Sequence, residues 1–321
     1  MLAVYAAATS AEDPLSGLEV GERPDPDPPA GWTTVAVRAA SLNHHDLWSL
    51  RGVGLGEDRL PMILGCDAAG VDEGGNEVIV HSVIGDPGPG GDETLDPKRT
   101  LLSELHQGTL AERVAVPARN LVPKPAALSF EEAACLPTAW LTAYRMLFAR
   151  AELKPGQTVL IQGAGGGVAT AAVALARAAG ARVWVTSRDQ RKRERASELG
   201  AHAAFETGAR LPERVDAVIE TVGEATWAHS LRAVRPGGTI VTSGATSGPD
   251  PAAELRRVYF LQLRILGSMM GTRAELERLA RFCETTGTKP LIDRVLPLSE
   301  ARAGFETMAA GEHFGKIVLK P

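Results

Sequence analysis

Residues 158–169 read Thr-Val-Leu-Ile-Gln-Gly-Ala-Gly-Gly-Gly-Val-Ala, and this stretch decides the fold. An apolar run enters a glycine-rich turn, and an alanine-rich segment follows directly. Glycine suits a tight turn, and it also leaves room for a pyrophosphate that a Cβ would block. The N-terminus of the next helix offers free N–H groups and the positive end of its dipole. The stretch therefore predicts a phosphate-binding turn between a buried strand and a helix.

The turn departs slightly from the usual glycine fingerprint. In the register Ala164-x-Gly166-x-x-Ala169, alanine takes the first and third glycine positions, and the third position tolerates alanine. Its place between a strand and a helix, inside a βαβ unit, favours dinucleotide binding over an ordinary tight turn. We expect the cofactor contacts to come from Ala164, Gly165, Gly166, Gly167 and Val168.

Apolar strands and helices alternate around this turn. The pattern predicts strands at 182–186, 217–220, 238–243 and 261–266, separated by helices at 168–179, 190–199 and 225–234. Such alternation is typical of βαβ crossovers and of a doubly wound parallel sheet.

The flanking sequence has a different amino-acid composition. Before about residue 127 it is rich in Pro, Gly and Asp, with short β-like runs such as 33–37, 77–83 and 111–116. Segments 295–297 and 316–319 are expected to return as strands to this first part. We therefore predict an α/β protein with a β-rich domain at 1–127 and 271–321 and a dinucleotide-binding domain at 128–270.

The residue after the second strand bears on the cofactor. NAD-selective sites usually carry Asp or Glu there for the ribose 2′-OH, whereas this chain has Ser187. A hydroxyl with Arg188 and Lys192 nearby suits a 2′-phosphate, which a carboxylate would repel. The pattern favours NADP(H) over NAD(H). The alternative interpretation is that the basic residues Arg191, Lys192 and Arg193 are solvated helix side chains.

Composition narrows the function classes. The net charge is −5 and no basic stripe is present, which argues against nucleic acid as a partner. No stretch reaches the ~20 apolar residues of a membrane helix, and the first residues do not form a secretory signal. The three cysteines form no CxxC motif, so we expect neither a disulfide framework nor a structural zinc site, and a cytoplasmic location.

Further motifs lie along the chain in a fixed order. They include 43–47 (Asn-His-His-Asp-Leu), 61–70, 108–112, 235–238 and 315–319. With the glycine turn, they resemble the medium-chain dehydrogenase/reductase superfamily over nearly the whole length. The resemblance implies a GroES-like catalytic domain, a Rossmann domain and a homodimer formed through the sheet edge near residues 261–266.

The resemblance also raises the question of zinc. In zinc-dependent relatives the catalytic ligands fall at the positions of Asn43, Cys66 and, approximately, Thr138, and only Cys66 is a good ligand type. The segment 84–110, where a four-cysteine structural lobe would lie, contains no Cys. These departures imply the zinc-independent, quinone-oxidoreductase-like branch. A different metal site using His44, His45 or Cys66 stays open, as does Cys66 as a small buried hydrophobe.

Without zinc, a hydrogen-bond donor must stabilise the charge that develops on the substrate oxygen. Asn43 is the first candidate, His44 or His45 is the candidate proton source, and Asp46 either orients a histidine or is structural. The resemblance adds further cofactor contacts at Thr142, Gly223, Gly244, Ser268, Met269 and Lys316. For Lys316 the alternative is an exposed strand lysine.

The leading hypothesis is hydride transfer from NADPH to a small-molecule quinone or α,β-unsaturated carbonyl substrate. Two alternatives stay open: a zinc-dependent alcohol dehydrogenase-like enzyme and a nonenzymatic NADPH-binding protein.

Overall fold

The computed structural model describes all residues from 1 to 321. They divide into two compact units, one formed by 1–139 with 271–321 and the other by 140–270. None of the helices combines the length and the apolar character that crossing a membrane requires.

The first unit is rich in short strands. Its N-terminal part contains β1 Leu2–Ala6, β2 Leu18–Glu22, β3 Trp32–Ser41, α1 His44–Leu50, β4 Met62–Ile63, β5 Asp67–Asp72, β6 Glu77–Val80, β7 Val83–Ile84, β8 Thr100–Leu101, β9 Arg113–Pro117, β10 Leu121–Pro123 and α2 Phe130–Ala133. Strand β3 is long enough to pair with β5 along one edge and with β9 and a C-terminal strand along the other.

The second unit alternates strands and helices. It contains α3 Leu141–Tyr144, β11 Thr158–Gln162, α4 Gly167–Ala178, β12 Arg182–Thr186, α5 Gln190–Leu199, β13 Ala203–Phe205, β14 Val215–Glu220, α6 Glu224–Ala233, β15 Val234–Thr242, α7 Leu255–Phe260 and β16 Arg264–Gly267. The chain then returns to the first unit with α8 Arg273–Thr286, β17 Ile292–Pro297, α9 Ala301–Ala309 and β18 Lys316–Lys320.

The sheet of the first unit is mixed. Its order is β10-β6-β5-β3-β18-β17 with β9 also on β3, and β17 and β18 are its parallel pair. Helix α9 contributes Phe305 and Met308 to the core beneath this sheet, beside Leu50 and Leu64. The last two strands of the chain therefore complete a domain that the first residues begin.

The sheet of the second unit is entirely parallel. Its order is β13-β12-β11-β14-β15-β16, so the direction of winding reverses between β11 and β14. Ligands of open α/β sheets bind outside the carboxyl ends of the strands at such a reversal. The predicted fold class, a β-rich GroES-like domain with a doubly wound Rossmann domain, is confirmed.

The first unit extends past residue 127, where the sequence placed its end. Ser129 and Glu132 form a capping box that starts α2, and the Ser41 hydroxyl donates to the carbonyl of Ala134 at 3.1 Å. These contacts attach the segment after residue 127 to β3. Tertiary hydrogen bonds of this kind leave no local sequence pattern, which is why the predicted boundary falls too early.

Candidate functional site

The glycine turn of the second unit joins β11 to α4. Gly163 has φ of +87°, so the turn itself needs glycine there. Gly166, the N-cap residue of α4, has φ of −73°, and a Cβ on it would meet no protein atom within 4 Å. Nothing within the protein requires glycine at this position. A Cβ there would obstruct only a ligand that lay against the backbone, and the unpaired N–H groups of the first turn of α4 suit a diphosphate.

The residues at the end of β12 lie beside this turn. The carboxylate that follows Ser187 most closely is that of Asp189. It is not free, because it accepts hydrogen bonds from the N–H groups of Arg191 and Lys192 and caps α5. The aliphatic stem of Lys192 lies over Gly165, where an added Cβ would come within 2.8 Å of its Cδ. The structure thus brings together two residues that the sequence assigned to cofactor binding.

Basic residues extend this surface. Arg193 donates to the backbone carbonyl of Ser187 at 2.6 Å, and Arg188 is exposed. The guanidinium of Arg193 was not assigned a role beforehand. Its contact stabilises the turn that presents the Ser187 hydroxyl, so this end of the sheet carries positive charge and hydroxyl donors.

Three other predicted cofactor residues follow the ends of neighbouring strands. Gly223 follows β14, Gly244 follows β15 and Ser268 follows β16, so all three lie at the carboxyl edge of the sheet. The Ser268 hydroxyl is buried and has no hydrogen-bond partner within the protein. Such an atom fits a site that a polar ligand group completes. Thr142 is buried within α3, and Met269 directly follows Ser268.

The first unit holds a separate buried polar cluster around Asn43. Asn43 caps α1, and its backbone N–H donates to Asp46 Oδ2 at 2.8 Å. Its side-chain Nδ2 donates to Asp67 Oδ2 at 2.8 Å and makes a longer contact of 3.4 Å with the carbonyl of Ser41. One amide hydrogen is therefore firmly bound within the protein, and the other is held weakly.

Lys316 lies at the centre of this cluster. Its Nζ donates to Asn43 Oδ1 and to the carbonyl of Leu42, both at 2.6 Å, and to Asp67 Oδ2 at 3.2 Å. An ammonium has three hydrogens, and all three are used here. The alternative of an exposed lysine is wrong, because the side chain is only 2% exposed.

The two adjacent histidines have opposite environments. His44 is exposed, and partial desolvation together with the positive charges of Arg51 and Lys316 lowers its pKa. Burial also disfavours the protonated form of His45, but its neighbours Cys66 and Glu104 outweigh this and hold its pKa well above the ordinary value. The pKa values of the two histidines are therefore shifted in opposite directions.

His45 is held from both sides. Its Nε2 lies 2.8 Å from Glu104 Oε1, and its Nδ1 lies 3.5 Å from Cys66 Sγ. The Cys66 thiol donates to the carbonyl of Leu102 at 3.3 Å, and burial raises its pKa. Glu104, which the sequence gave no reason to single out, also lines a surface pocket of about 280 Å³ with Arg59 and Arg99.

With this geometry in view, comparison with known proteins identifies the family. Residues 29–126 match the family described as Alcohol dehydrogenase GroES-like domain, and residues 167–285 match the family described as Zinc-binding dehydrogenase. An acryloyl-coenzyme A reductase of Metallosphaera sedula is 31% identical over 94% of this chain and 96% of its own length. The chain belongs to the medium-chain dehydrogenase/reductase superfamily.

Solved structures of the superfamily resemble the whole chain. An NAD-dependent alcohol dehydrogenase has a TM-score of 0.91 and 34% identity, with complete coverage of both chains. The 2-octenoyl-CoA carboxylase reductase CinF, solved with NADP and 2-octenoyl-CoA, has a TM-score of 0.88 and 28% identity, covering 99% of this chain and 87% of its own. Both nicotinamide cofactors therefore occur among similar proteins of this superfamily.

The zinc site of dehydrogenases in this superfamily does not fit the side chains of the first unit. The Oδ1 atom of Asn43 already accepts from the Lys316 ammonium, and a second cation beside it would be repelled. Cys66 is the one good zinc-ligand type among the three positions, and its thiol donates to the carbonyl of Leu102. No group of three or more His, Cys, Asp or Glu side chains is arranged to hold a metal ion.

Proposed function

We propose that this chain is an NADPH-dependent reductase that adds hydride to a carbon–carbon double bond conjugated to a carbonyl group, or to a quinone, without zinc. The observation that carries the proposal is the open space at Gly166, at the start of α4, in a turn whose Gly165 lies against Lys192 and whose strand pairs with the one that ends before Ser187. The acryloyl-coenzyme A reductase and CinF support the substrate class, because both are named for enoyl thioesters or their reduction.

The preference for NADPH rests on Ser187. A hydroxyl near Arg188 and Lys192 accommodates a 2′-phosphate, whereas a carboxylate there would accept the 2′-OH of NADH. In calorimetric titrations we expect NADPH to bind at least 10-fold more tightly than NADH. Ser187→Asp should reverse that order. Ser197→Asp, which adds the same charge on the exposed face of α5, is the matched control and should change the order little.

The bound cofactor supplies a hydride from C4 of its nicotinamide ring. For the enoyl substrate, the hydride forms the new C–H bond at the β-carbon. The electron pair of the double bond moves toward the carbonyl oxygen, and a proton must then reach the α-carbon. The residues of the first unit therefore have two tasks: to stabilise the oxygen while it is negative, and to supply the proton.

We assign the oxygen contact to Asn43. The amide hydrogen that makes the 3.4 Å contact with Ser41 is the one available to a substrate oxygen, because the other is bound to Asp67. The Lys316 ammonium polarises the amide by donating to its Oδ1, which strengthens it as a donor. Asp46 accepts from the Asn43 backbone and acts as a positioning residue.

We assign the proton to His45, and His44 is the rival. His45 is partly exposed, and its contacts with Cys66 and Glu104 raise its pKa, whereas the pKa of His44 is lowered. We expect His45→Gln to lower kcat by at least 10-fold and to remove a decline in kcat as pH rises through its raised pKa. If His44→Gln has the larger effect on the pH profile, the assignment reverses.

The activity test is NADPH oxidation with a set of acceptors that separates the candidate reactions. Acryloyl-CoA, 2-octenoyl-CoA, a simple enone and a benzoquinone test the proposal, and an aliphatic aldehyde tests alcohol dehydrogenase chemistry. We expect turnover of at least one conjugated acceptor and slower turnover of the aldehyde. Faster aldehyde turnover would make it an alcohol dehydrogenase, and NADPH binding without any turnover would leave a binding protein.

We also propose that two copies of the chain pair through β16, the edge strand of the parallel sheet. The outer edge of this strand has no partner in the chain, and Ile265 on it is 36% exposed. Helix α7 beside it exposes Leu255, Tyr259 and Phe260, each by about 70% or more of its surface. Light scattering should give the mass of a dimer, and Ile265→Arg should give a monomer. A monomeric parent protein would contradict this proposal.

A further inference from the structure

A continuous chain of hydrogen bonds runs through the buried interior of the second unit. Thr186 Oγ1 donates to Gln162 Oε1 at 2.6 Å, and Gln162 Nε2 donates to Ser230 Oγ at 3.0 Å. Ser230 Oγ in turn donates to Glu220 Oε2 at 2.6 Å. All four side chains are fully buried, with no solvent-exposed surface. The chain therefore links the ends of β12, β11 and β14 through one residue of α6.

The donor and the acceptor of each hydrogen bond in this network can be assigned. The second amide hydrogen of Gln162 goes to His229 Nδ1 at 3.0 Å, and His229 Nε2 lies 2.9 Å from the carbonyl of Ala209. The carbonyl can only accept, so Nε2 carries the hydrogen and Nδ1 presents a lone pair. Burial lowers the pKa of His229, which is consistent with this neutral form. The direction of the whole chain is thereby fixed, and it ends on the Glu220 carboxylate.

Glu220 is held by neutral groups. Its Oε1 accepts from the backbone N–H of Val222 at 2.8 Å and of Gly223 at 3.1 Å, and the Thr226 hydroxyl donates at 2.8 Å. Helix α6 begins directly after Gly223, and the positive end of its dipole stabilises the carboxylate as well. This carboxylate fixes the turn that leads from β14 into α6.

The hydrogen bonds join three strand ends, and each of these precedes a segment that we assign to cofactor binding. Gln162 precedes the glycine turn, Thr186 precedes Ser187, and Glu220 precedes the Val222–Gly223 turn. The first two segments hold the diphosphate and the adenosine half under the proposed function. Gly223 lies on the other side of the switch point, where the nicotinamide half remains to be held.

We propose that Glu220 is a positioning residue for the nicotinamide half of the cofactor, and that the chain from Thr186 through Gln162 and Ser230 fixes its position relative to the adenosine half. The inference rests on the proposed function, because it assumes that the dinucleotide lies along this edge. The backbone N–H groups of Val222 and Gly223 both donate to Glu220 Oε1, so this carboxylate holds the turn directly. Loss of Glu220 therefore releases the turn at its N–H groups.

The test compares a whole cofactor with its adenosine half. Glu220→Gln removes the charge and replaces one carboxylate oxygen by an NH₂ group, which can no longer accept from the donors that it faces. We expect the dissociation constant for NADPH to rise at least 10-fold, while that for 2′,5′-ADP changes less than 2-fold. A purely structural role would move both constants together. An unchanged ratio of the two constants in folded Glu220→Gln would overturn the proposal.

A second measurement needs no ligand. Amide hydrogen exchange of the peptide that contains Val222 and Gly223 should become at least 10-fold faster in Glu220→Gln, because a neutral amide replaces the charged acceptor of their N–H groups. If this variant does not fold, Ser230→Ala removes one donor from the carboxylate, and the same two readouts apply with smaller changes. Unchanged exchange at Val222 and Gly223 would overturn the positioning role.

The matched control is Thr158→Val, at the opposite end of β11. Thr158 is buried like Thr186, but its hydroxyl accepts from Arg182 and takes no part in the chain. Thr186→Val should raise the NADPH constant by about 3-fold more than Thr158→Val does. If the unsubstituted protein binds 2′,5′-ADP but not NADPH, the assignment of Glu220 to the nicotinamide half is wrong, and the assignment of the adenosine half is unaffected. If it binds neither, the proposed function fails, and this inference fails with it.

Discussion

The two units solve the problem of burying polar groups in different ways. In the first unit, Lys316 shares its ammonium with Asp67, and Asp46 lies close by; both carboxylates keep one buried oxygen without a hydrogen-bond partner. In the second unit, the Glu220 carboxylate has no cation, and neutral donors satisfy both of its oxygens. One cluster is stabilised by charge and the other by hydrogen bonds.

The difference separates a site suited to chemistry from one suited to positioning. Incompletely paired buried charges shift pKa values, and such shifts are concentrated at reactive sites. The pKa of Asp46 is raised to about 6, chiefly by burial, and His45 next to it is shifted in the same direction. A fully satisfied network instead holds its members rigidly. This division agrees with a proton-transfer role in the first unit and a cofactor-holding role in the second.

The largest expected effect comes from removing the cation of the first unit. Lys316→Met keeps the length of the side chain but leaves the Asp67 carboxylate buried without its partner. Breaking a buried ion pair in this way costs about 3–5 kcal/mol. We expect the free energy of unfolding, measured with urea, to fall by that amount.

Two further variants show whether charge is the cause. Lys320→Met removes an exposed lysine whose partner is Glu131, and it should cost at most ~1 kcal/mol. Asp67→Asn added to Lys316→Met should recover part of the loss, because no uncompensated charge is then buried. If Lys316→Met and Lys320→Met cost the same, the first cluster is not held together by charge.

The next effect concerns the pH dependence that Asp46 gives to stability. Its folded-state pKa of about 6 lies above the ordinary 3.8, so the folded protein binds this proton more tightly than the unfolded chain. The contribution of Asp46 to the free energy of unfolding therefore falls as the pH rises from about 4 to 6. A shift of about two units corresponds to roughly 3 kcal/mol.

Asp46→Asn removes this titration while its amide oxygen can still accept from the Asn43 backbone. We expect the difference in unfolding free energy between variant and parent to change in favour of the variant as the pH rises from 4 to 7. His45, Asp67 and Lys316 all face Asp46 and remain in both proteins. Parallel stability curves for the two proteins would show that Asp46 does not carry the shift.

Much of the fold was predictable because its signals are local. Three elements begin and end where the sequence predicts: the strands β11 and β12 and the helix α5. The two strands are buried apolar runs, and the helix has a capping residue at its start and a glycine after its end. Helix α9 was missed, because Ala301–Ala309 shows its amphipathic character only once Phe305 and Met308 pack against a core built from the other end of the chain.

The candidate site was predictable in part for the same reason. The glycine turn and Ser187 are contiguous with their strands, so local sequence places them. The partners of Asn43 and His45 come from distant positions: Lys316 lies on the last strand, and Glu104 lies in a loop. The burial of Lys316 follows from the pairing of β18 with β3, which no pattern near residue 316 records.

A smaller effect distinguishes the roles of two glycines in the second unit, Gly166 and Gly163. Gly166→Ala should leave the free energy of unfolding within ~1 kcal/mol of the parent, because φ there suits any residue and no atom lies in the way. It should weaken NADPH binding by about 10-fold, or ~1.4 kcal/mol. Gly163→Ala should instead destabilise the fold by ~1–2 kcal/mol, because its φ is +87°.

The contrast between these two variants identifies what each glycine is for. A glycine that the chain needs changes stability when it is replaced, and one that a ligand needs changes affinity. Titration of NADPH and urea unfolding measure the two quantities separately. If Gly166→Ala binds NADPH as tightly as the parent, the diphosphate does not lie against this part of the backbone.

The smallest expected effect is that of zinc. A metal that binds only the folded state raises its stability in proportion to the logarithm of metal concentration over dissociation constant. The Lys316 ammonium already occupies the oxygen of Asn43, and no group of three or more His, Cys, Asp or Glu side chains is arranged to hold a metal ion, so we expect neither added zinc nor a chelator to shift the melting temperature. Elemental analysis should find far less than one zinc per chain. If the protein instead holds one zinc per chain and Cys66→Ser removes it, the first unit exchanges the Lys316 ammonium for a metal ion. The two units would then have to be compared with the metal bound to the first.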